Sequence, residues 1–151
     1  MITQEQFKER WKYSPLVTVD ISRIGHVSLP AESLDFLVKA GLPAHSGIAN
    51  IGFKTLAENL PLFSFEDNGM DPPGEGEYYF IGGDESTDTQ IVVHSTDGRV
   101  VMVHFPDIFT LNSSIPQMAE CLLAYHERFA DPKKAKGPSF PTDHGPTMYA
   151  I

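Results

Sequence analysis

Residues 77–105 read EYYFIGGDESTDTQIVVHSTDGRVVMVHF, and the fold turns on whether this stretch is a run of antiparallel strands. Three segments rich in aromatic and β-branched residues, Glu77–Ile81, Thr89–His94 and Arg99–Phe105, alternate with glycine, serine, threonine and aspartate. That is the composition of strands joined by turns. Asp97 and Gly98 predict a two-residue hairpin of type I′, in which both residues adopt positive φ. Under that register Thr96 faces Arg99, His94 faces Val101 and Ile91 faces His104. His94 and His104 then lie on opposite faces of the sheet and cannot share a metal ion.

Gly82, Gly83, Asp84 and Glu85 spell GGDE, letters shared with the β-hairpin over which diguanylate cyclases hold GTP. The cyclase run ends in phenylalanine, where this chain has Ser86, and the basic residues a triphosphate requires are missing. Between Thr55 and Gly98 the chain carries ten of its 20 acidic residues and no lysine or arginine. Such a surface repels GTP unless metal ions neutralise it. The expected role of the two glycines is structural: Ile81 ends a strand, Gly82 and Gly83 turn the backbone, and Asp84–Thr89 is a polar loop.

Outward from this stretch the period changes to that of helices. Thr3 and Gln6 have the spacing of a capping box, which opens a helix whose Phe7 and Trp11 share a face. A second helix is expected from Pro30 or Ala31 through AESLDFLVKA, with Leu34, Leu37 and Val38 on its apolar side, Gly41 as its stop and Pro43 beyond. Two more strand candidates are Gly47–Phe53 and Leu60–Phe65. Ser114 and Gln117 cap a third helix whose Ile115, Met118, Leu122, Tyr125 and Phe129 form one stripe. Cys121 falls within that stripe, where it is expected to be a buried thiol. The sequence therefore predicts an α+β domain over residues 1–130: a mostly antiparallel sheet of about five to six strands, with N-terminal helices and a C-terminal helix packed on it. Residues 131–151, with four prolines and two glycines, are expected to be an extended tail.

The chain has 151 residues and a formal net charge of −9, enough length for one core. Its first residues, MITQEQFKERWKY, lack the apolar segment of a secretory signal, and no apolar run nears the roughly 20 residues of a membrane span. A cytoplasmic protein is expected. The acidic middle segment argues against nucleic acid and anionic membranes as partners, because both carry negative charge. The single cysteine and the scattered histidines, His26, His45, His126 and His144 among them, have no metal-ligand spacing. The acid-rich stretch 66–77, EDNGMDPPGEGE, fails as a calcium loop because Asp71 stands where glycine is needed. No cofactor, metal or catalytic residue is expected.

Three blocks in sequence order resemble the SUKH superfamily of immunity proteins, in particular its fourth subfamily. LPAESLDFLVKAGLP (residues 29–43) is similar to its early helix and GLP turn. YYFIGGDESTDTQIVVHSTDGRVVMV (78–103) is similar to its strand ending in Ile-Gly, polar turn, apolar strand, D-G turn and valine-rich strand, and LNSSIPQMAECLLAYHERF (111–129) to its closing helix. The chain departs from the pattern in having Pro116 within the helix start and a long proline-rich tail. The resemblance implies a protein that acts by binding: an antitoxin that occupies a cognate toxin with a basic surface, often a nuclease or nucleic-acid deaminase. A regulatory adaptor of the same fold is the alternative, and an enzyme the third reading. Glu66, Asp67, Asp71, Glu75, Glu77, Asp84, Glu85 and Asp88 are then the expected partner-binding residues, with Tyr78, Tyr79 and Phe80 as candidate apolar anchors, of which at least one must face the core.

Overall fold

A computed structural model describes residues 1–24, 27–57, 64–65, 72–84, 86–104 and 107–130. Helix α1 (Gln4–Arg10) opens with a full capping box: the Thr3 hydroxyl accepts from the Gln6 N–H, and the Gln6 side chain accepts from the Thr3 N–H. Strand β1 (Leu16–Val17) pairs antiparallel with β2 (Leu42–Pro43). Between them lies α2 (Ala31–Lys39), which ends where Gly41 takes φ +80°. The buried side of α2 is Ser33, Phe36 and Leu37, while Leu34 and Val38 are only half-buried. The apolar face is thus rotated from the expected one, because Phe36, the bulkiest side chain in the helix, stacks 5.6 Å from Phe7.

The main sheet runs β3 (Ile51–Gly52), β4 (Tyr78–Asp84), β5 (Gln90–His94), β6 (Val100–His104) and β7 (Asp107–Asn112), five strands in sequence order and all antiparallel. This is the expected α+β class. Strand β3 is shorter than the expected Gly47–Phe53, and of the Leu60–Phe65 candidate the described part, Ser64 and Phe65, contributes one bridge, Ser64 to Tyr79. Strand β7 is an addition that the periodicity did not indicate.

The hairpin between β5 and β6 is not the two-residue turn. The His94 N–H donates to Arg99 O, and the register runs Val93 to Val100 and Ile91 to Met102, so Ser95–Gly98 form a four-residue loop. Only Gly98 of the Asp-Gly pair has positive φ, at +77°. The shift is two residues, and an even shift leaves each side chain on its own face. His94 and His104 therefore do lie on opposite faces.

Gly82 and Gly83 are not a turn either. Both lie inside β4, paired with Ile91 and Gln90 of β5 across an irregularity between Phe80 and Gly82. The glycines are required by close approach: a Cβ on Gly82 would stand 2.5 Å from both Gly52 O and the Phe53 ring.

One face of the sheet carries Tyr79, Ile81, Ile91, Val93 and Val100 against the helices. Among those helices α3 (Ile115–Tyr125), capped by Ser114, places Ile115, Met118, Ala119, Leu122 and Leu123 inside. Pro116 sits in its first turn, where no intrahelical bond is asked of its nitrogen. The helix ends in a wider turn, His126–Ala130. Cys121 is exposed, contrary to expectation, because the buried face follows Met118, Ala119 and Leu122, and Cys121 points between turns toward Asn112 Nδ2 at 3.4 Å. A second cluster on the opposite face, Phe65, Tyr78, Val92, Val101 and Val103, buries the central strands on both sides. The tail, residues 131–151, lies outside the described residues.

Candidate partner-binding surface

The outer face of the sheet, opposite the helices, holds a cleft of about 620 Å³. Its floor is Tyr78, His94, Arg99 and Val101, one wall is Ile108 and Thr110 of β7, and Pro73–Gly76 form its rim. Strand register assembles it: Tyr78 is opposite His94, His94 is bonded across the hairpin to Arg99, and Val101 is opposite Thr110. The Arg99 guanidinium donates to the Tyr78 hydroxyl at 2.7 Å, lies 5.7 Å from the centre of that ring, and pairs with Asp97. His94 packs edge-on against Tyr78 at 4.8 Å. Its Nδ1 accepts from the Thr96 N–H at 3.1 Å, which leaves Nε2 to carry the proton toward Glu75 O at 2.9 Å. The Arg99 N–H holds the Asp97 carboxyl below the usual aspartate range, aided by the Arg99 guanidinium. Each of these polar groups has a partner within the protein, so the cleft is preformed.

The expected acidic residues divide into two corners. Glu75 and Glu77 are exposed at the start of β4, Glu75 on the cleft and Glu77 turned to Tyr79 on the helix side, while Asp84, half-buried, and Asp88, exposed, lie beyond the other end of the strand. The length of β4 separates the corners by roughly 20 Å. Asp84 also shapes the β4–β5 loop, since its Oδ1 accepts from the Ser86 N–H at 2.9 Å and from the Ser86 hydroxyl at 2.6 Å. Glu66, Asp67, Asp71 and Glu85 lie outside the described residues.

The aromatic anchors are not where the sequence suggested. Tyr78 and Tyr79 are buried, the second with its hydroxyl donating to Glu77 at 3.2 Å, and Phe80 is half-buried against Phe65 at 4.6 Å. The large apolar side chains left exposed include Ile108, Phe109 and Leu111, all on β7. Arg99 was also missed: it follows the acidic segment by one residue, and only the hairpin register shows that it folds back onto Tyr78. Among the described residues no group of three or more histidine, cysteine or acidic side chains is placed to hold a metal ion, and no helix is long and apolar enough to cross a membrane.

A family model described as SUKH-4 immunity protein matches residues 2–136. The chain belongs to the SUKH-4 immunity protein family. The match includes α1, which the three resembling blocks did not reach, and passes beyond the last described residue. No curated protein and no solved structure matches the chain. Membership in an immunity family implies a cognate toxin as the partner of this SUKH-4 protein.

Proposed function

We propose that this SUKH-4 family member neutralises a cognate toxin that acts on nucleic acid, a nuclease or a deaminase, by covering its basic cleft in a one-to-one complex. The observation that carries this reading is the acidic middle segment, ten acids and no base between Thr55 and Gly98. A cleft that binds phosphate backbones is basic, and a one-signed acidic surface is steered onto it over distances longer than a contact. Glu66, Asp67, Asp71, Glu75, Glu77, Asp84, Glu85 and Asp88 supply that field. Glu75 stands at the rim of the cleft lined by Tyr78 and Arg99, which suits a partner side chain entering there. The protein works by occupancy, with no turnover, in the cytoplasm of the cell it protects.

The test is copurification with the product of the adjacent reading frame, followed by stopped-flow association. Charge reversal at Glu75, Glu77, Asp84 and Asp88 together is expected to slow association at least tenfold at low salt and to flatten its salt dependence. An unchanged on-rate overturns the electrostatic reading.

A further inference from the structure

Among the described residues, strand β7 is the one long open edge of the sheet. It pairs with β6 alone, and its residues Asp107–Leu111 are exposed, with Ile108, Phe109 and Leu111 at 45, 54 and 38 %. Natural sheets protect such edges with charge, proline, bulges or very short strands, and β7 has one irregularity, at Leu111, which leaves Asp107–Thr110 in regular register with β6. The opposite edge, β3, is two residues long, whereas Ile108–Asn112, IFTLN, carries no charge in a chain of net −9.

The ladder shows what the edge offers. The His94 N–H donates to Arg99 O, which sets these facing residues at a position where backbone groups point between β5 and β6, and such positions alternate along an antiparallel ladder. Val101 and Val103 therefore turn their amides to β5, and Met102 and His104 turn theirs to β7. Opposite them, Phe109 and Asp107 bond inward. The N–H and C=O groups of Ile108 and Thr110 point out of the sheet edge.

We propose that two copies of this chain pair through β7, antiparallel about a two-fold axis at Phe109. In that register Ile108 of one copy exchanges both backbone bonds with Thr110 of the other, and the reverse. The two Phe109 rings meet in the closer, non-hydrogen-bonded site on the helix side of the sheet, and Asp107 falls opposite Leu111. The two Asp107 carboxylates are then roughly 14 Å apart along the strand, farther than the screening length of about 8 Å at physiological salt. The described acids of the middle segment lie on β4 and in the loops beside it, not on β7. A second copy fits better than a strand of a basic toxin because the centre of the seam, Ile108–Leu111, is uncharged and self-complementary. Assembly stops at the dimer, since pairing consumes β7 and the remaining edge, β3, is too short to propagate.

Sedimentation velocity of the full chain over a micromolar concentration series tests this without any toxin, so its outcome is independent of the function proposed above. The expected result is a species of twice 16.7 kDa. Phe109→Glu, which sets two carboxylates face to face, and Thr110→Pro, which removes an outward N–H while leaving the bonds to β6, are each expected to weaken association at least tenfold. An equimolar mixture of Phe109→Glu and Phe109→Lys chains is expected to restore the dimer as a mixed species. A monomer at every concentration overturns the proposal and assigns the edge to another occupant, such as a strand of the toxin. A dimer indifferent to both variants, or a mixture that stays monomeric, overturns it as well.

Discussion

Ile91, Met102 and Phe109 lie side by side in one row across β5, β6 and β7, and they are respectively buried, half-buried and 54 % exposed. The central and edge strands thus share a face and a ladder while differing in what covers them. The helices and the Phe65 cluster bury β4, β5 and β6 on both faces, which is why Ile91–Val93 reads as an uninterrupted apolar run instead of an alternating one. Strand β7 has neither cover among the described residues, and its apolar residues serve no core. The difference separates residues that hold the fold from residues left available for contact.

The largest expected effect contrasts the two ends of that row. Ile91→Ala is expected to lower unfolding free energy by about 2–5 kcal/mol in urea titration, from lost transfer and a residual cavity. Phe109→Ala in the monomer is expected to change it by about 0.5 kcal/mol or less. Equal losses at the two positions would break the comparison. Next is Gly82→Ala, where the added methyl meets Gly52 O and the Phe53 ring at 2.5 Å. Overpacking of this kind costs about 1–3 kcal/mol, and the loss checks that Gly82 serves close approach between β3 and β4.

The smallest effect concerns the loop that closes β5 on β6. Asp97 is held below the ordinary aspartate range by the Arg99 N–H and guanidinium. Its folded pKa is therefore depressed, so its contribution is present above the unfolded aspartate pKa and disappears as pH falls through the lower, folded value. The Asp97 side chain is 51 % exposed, and solvent screening limits the contribution to about 1 kcal/mol or less. Asp97→Asn is expected to be slightly destabilised at neutral pH and to converge with the parent as pH drops below about 4. Denaturation midpoints measured across that range check the sign.

Much of this was legible in local sequence. The capping box at Thr3, the N-cap at Ser114, the stop at Gly41 and the aromatic and valine-rich strands each rest on interactions within a few residues, which the sequence displays directly. The hairpin was misread by two residues because Asp-Gly is compatible with both a two-residue turn and the last positions of a longer loop, and only the backbone bond from His94 to Arg99 decides between them. Cys121 was misplaced because a helical stripe wider than one residue leaves its boundary to the partner surface. Strand β7 went unseen because DIFTLN follows Pro106 and lacks a buried face, so the polar alternation that reveals a half-buried strand is absent.

Charge and family character resided in the sequence alone: the concentration of acids between Thr55 and Gly98 is a property of composition, and the order of blocks that marks SUKH-4 is a property of succession. Tertiary structure decided how those charges are arranged, dividing the described acids between two corners and folding Arg99 back onto Tyr78. It also decided that one strand edge stays open. Exposure depends on what the rest of the chain leaves uncovered, and that is a relation among distant residues which no local pattern encodes.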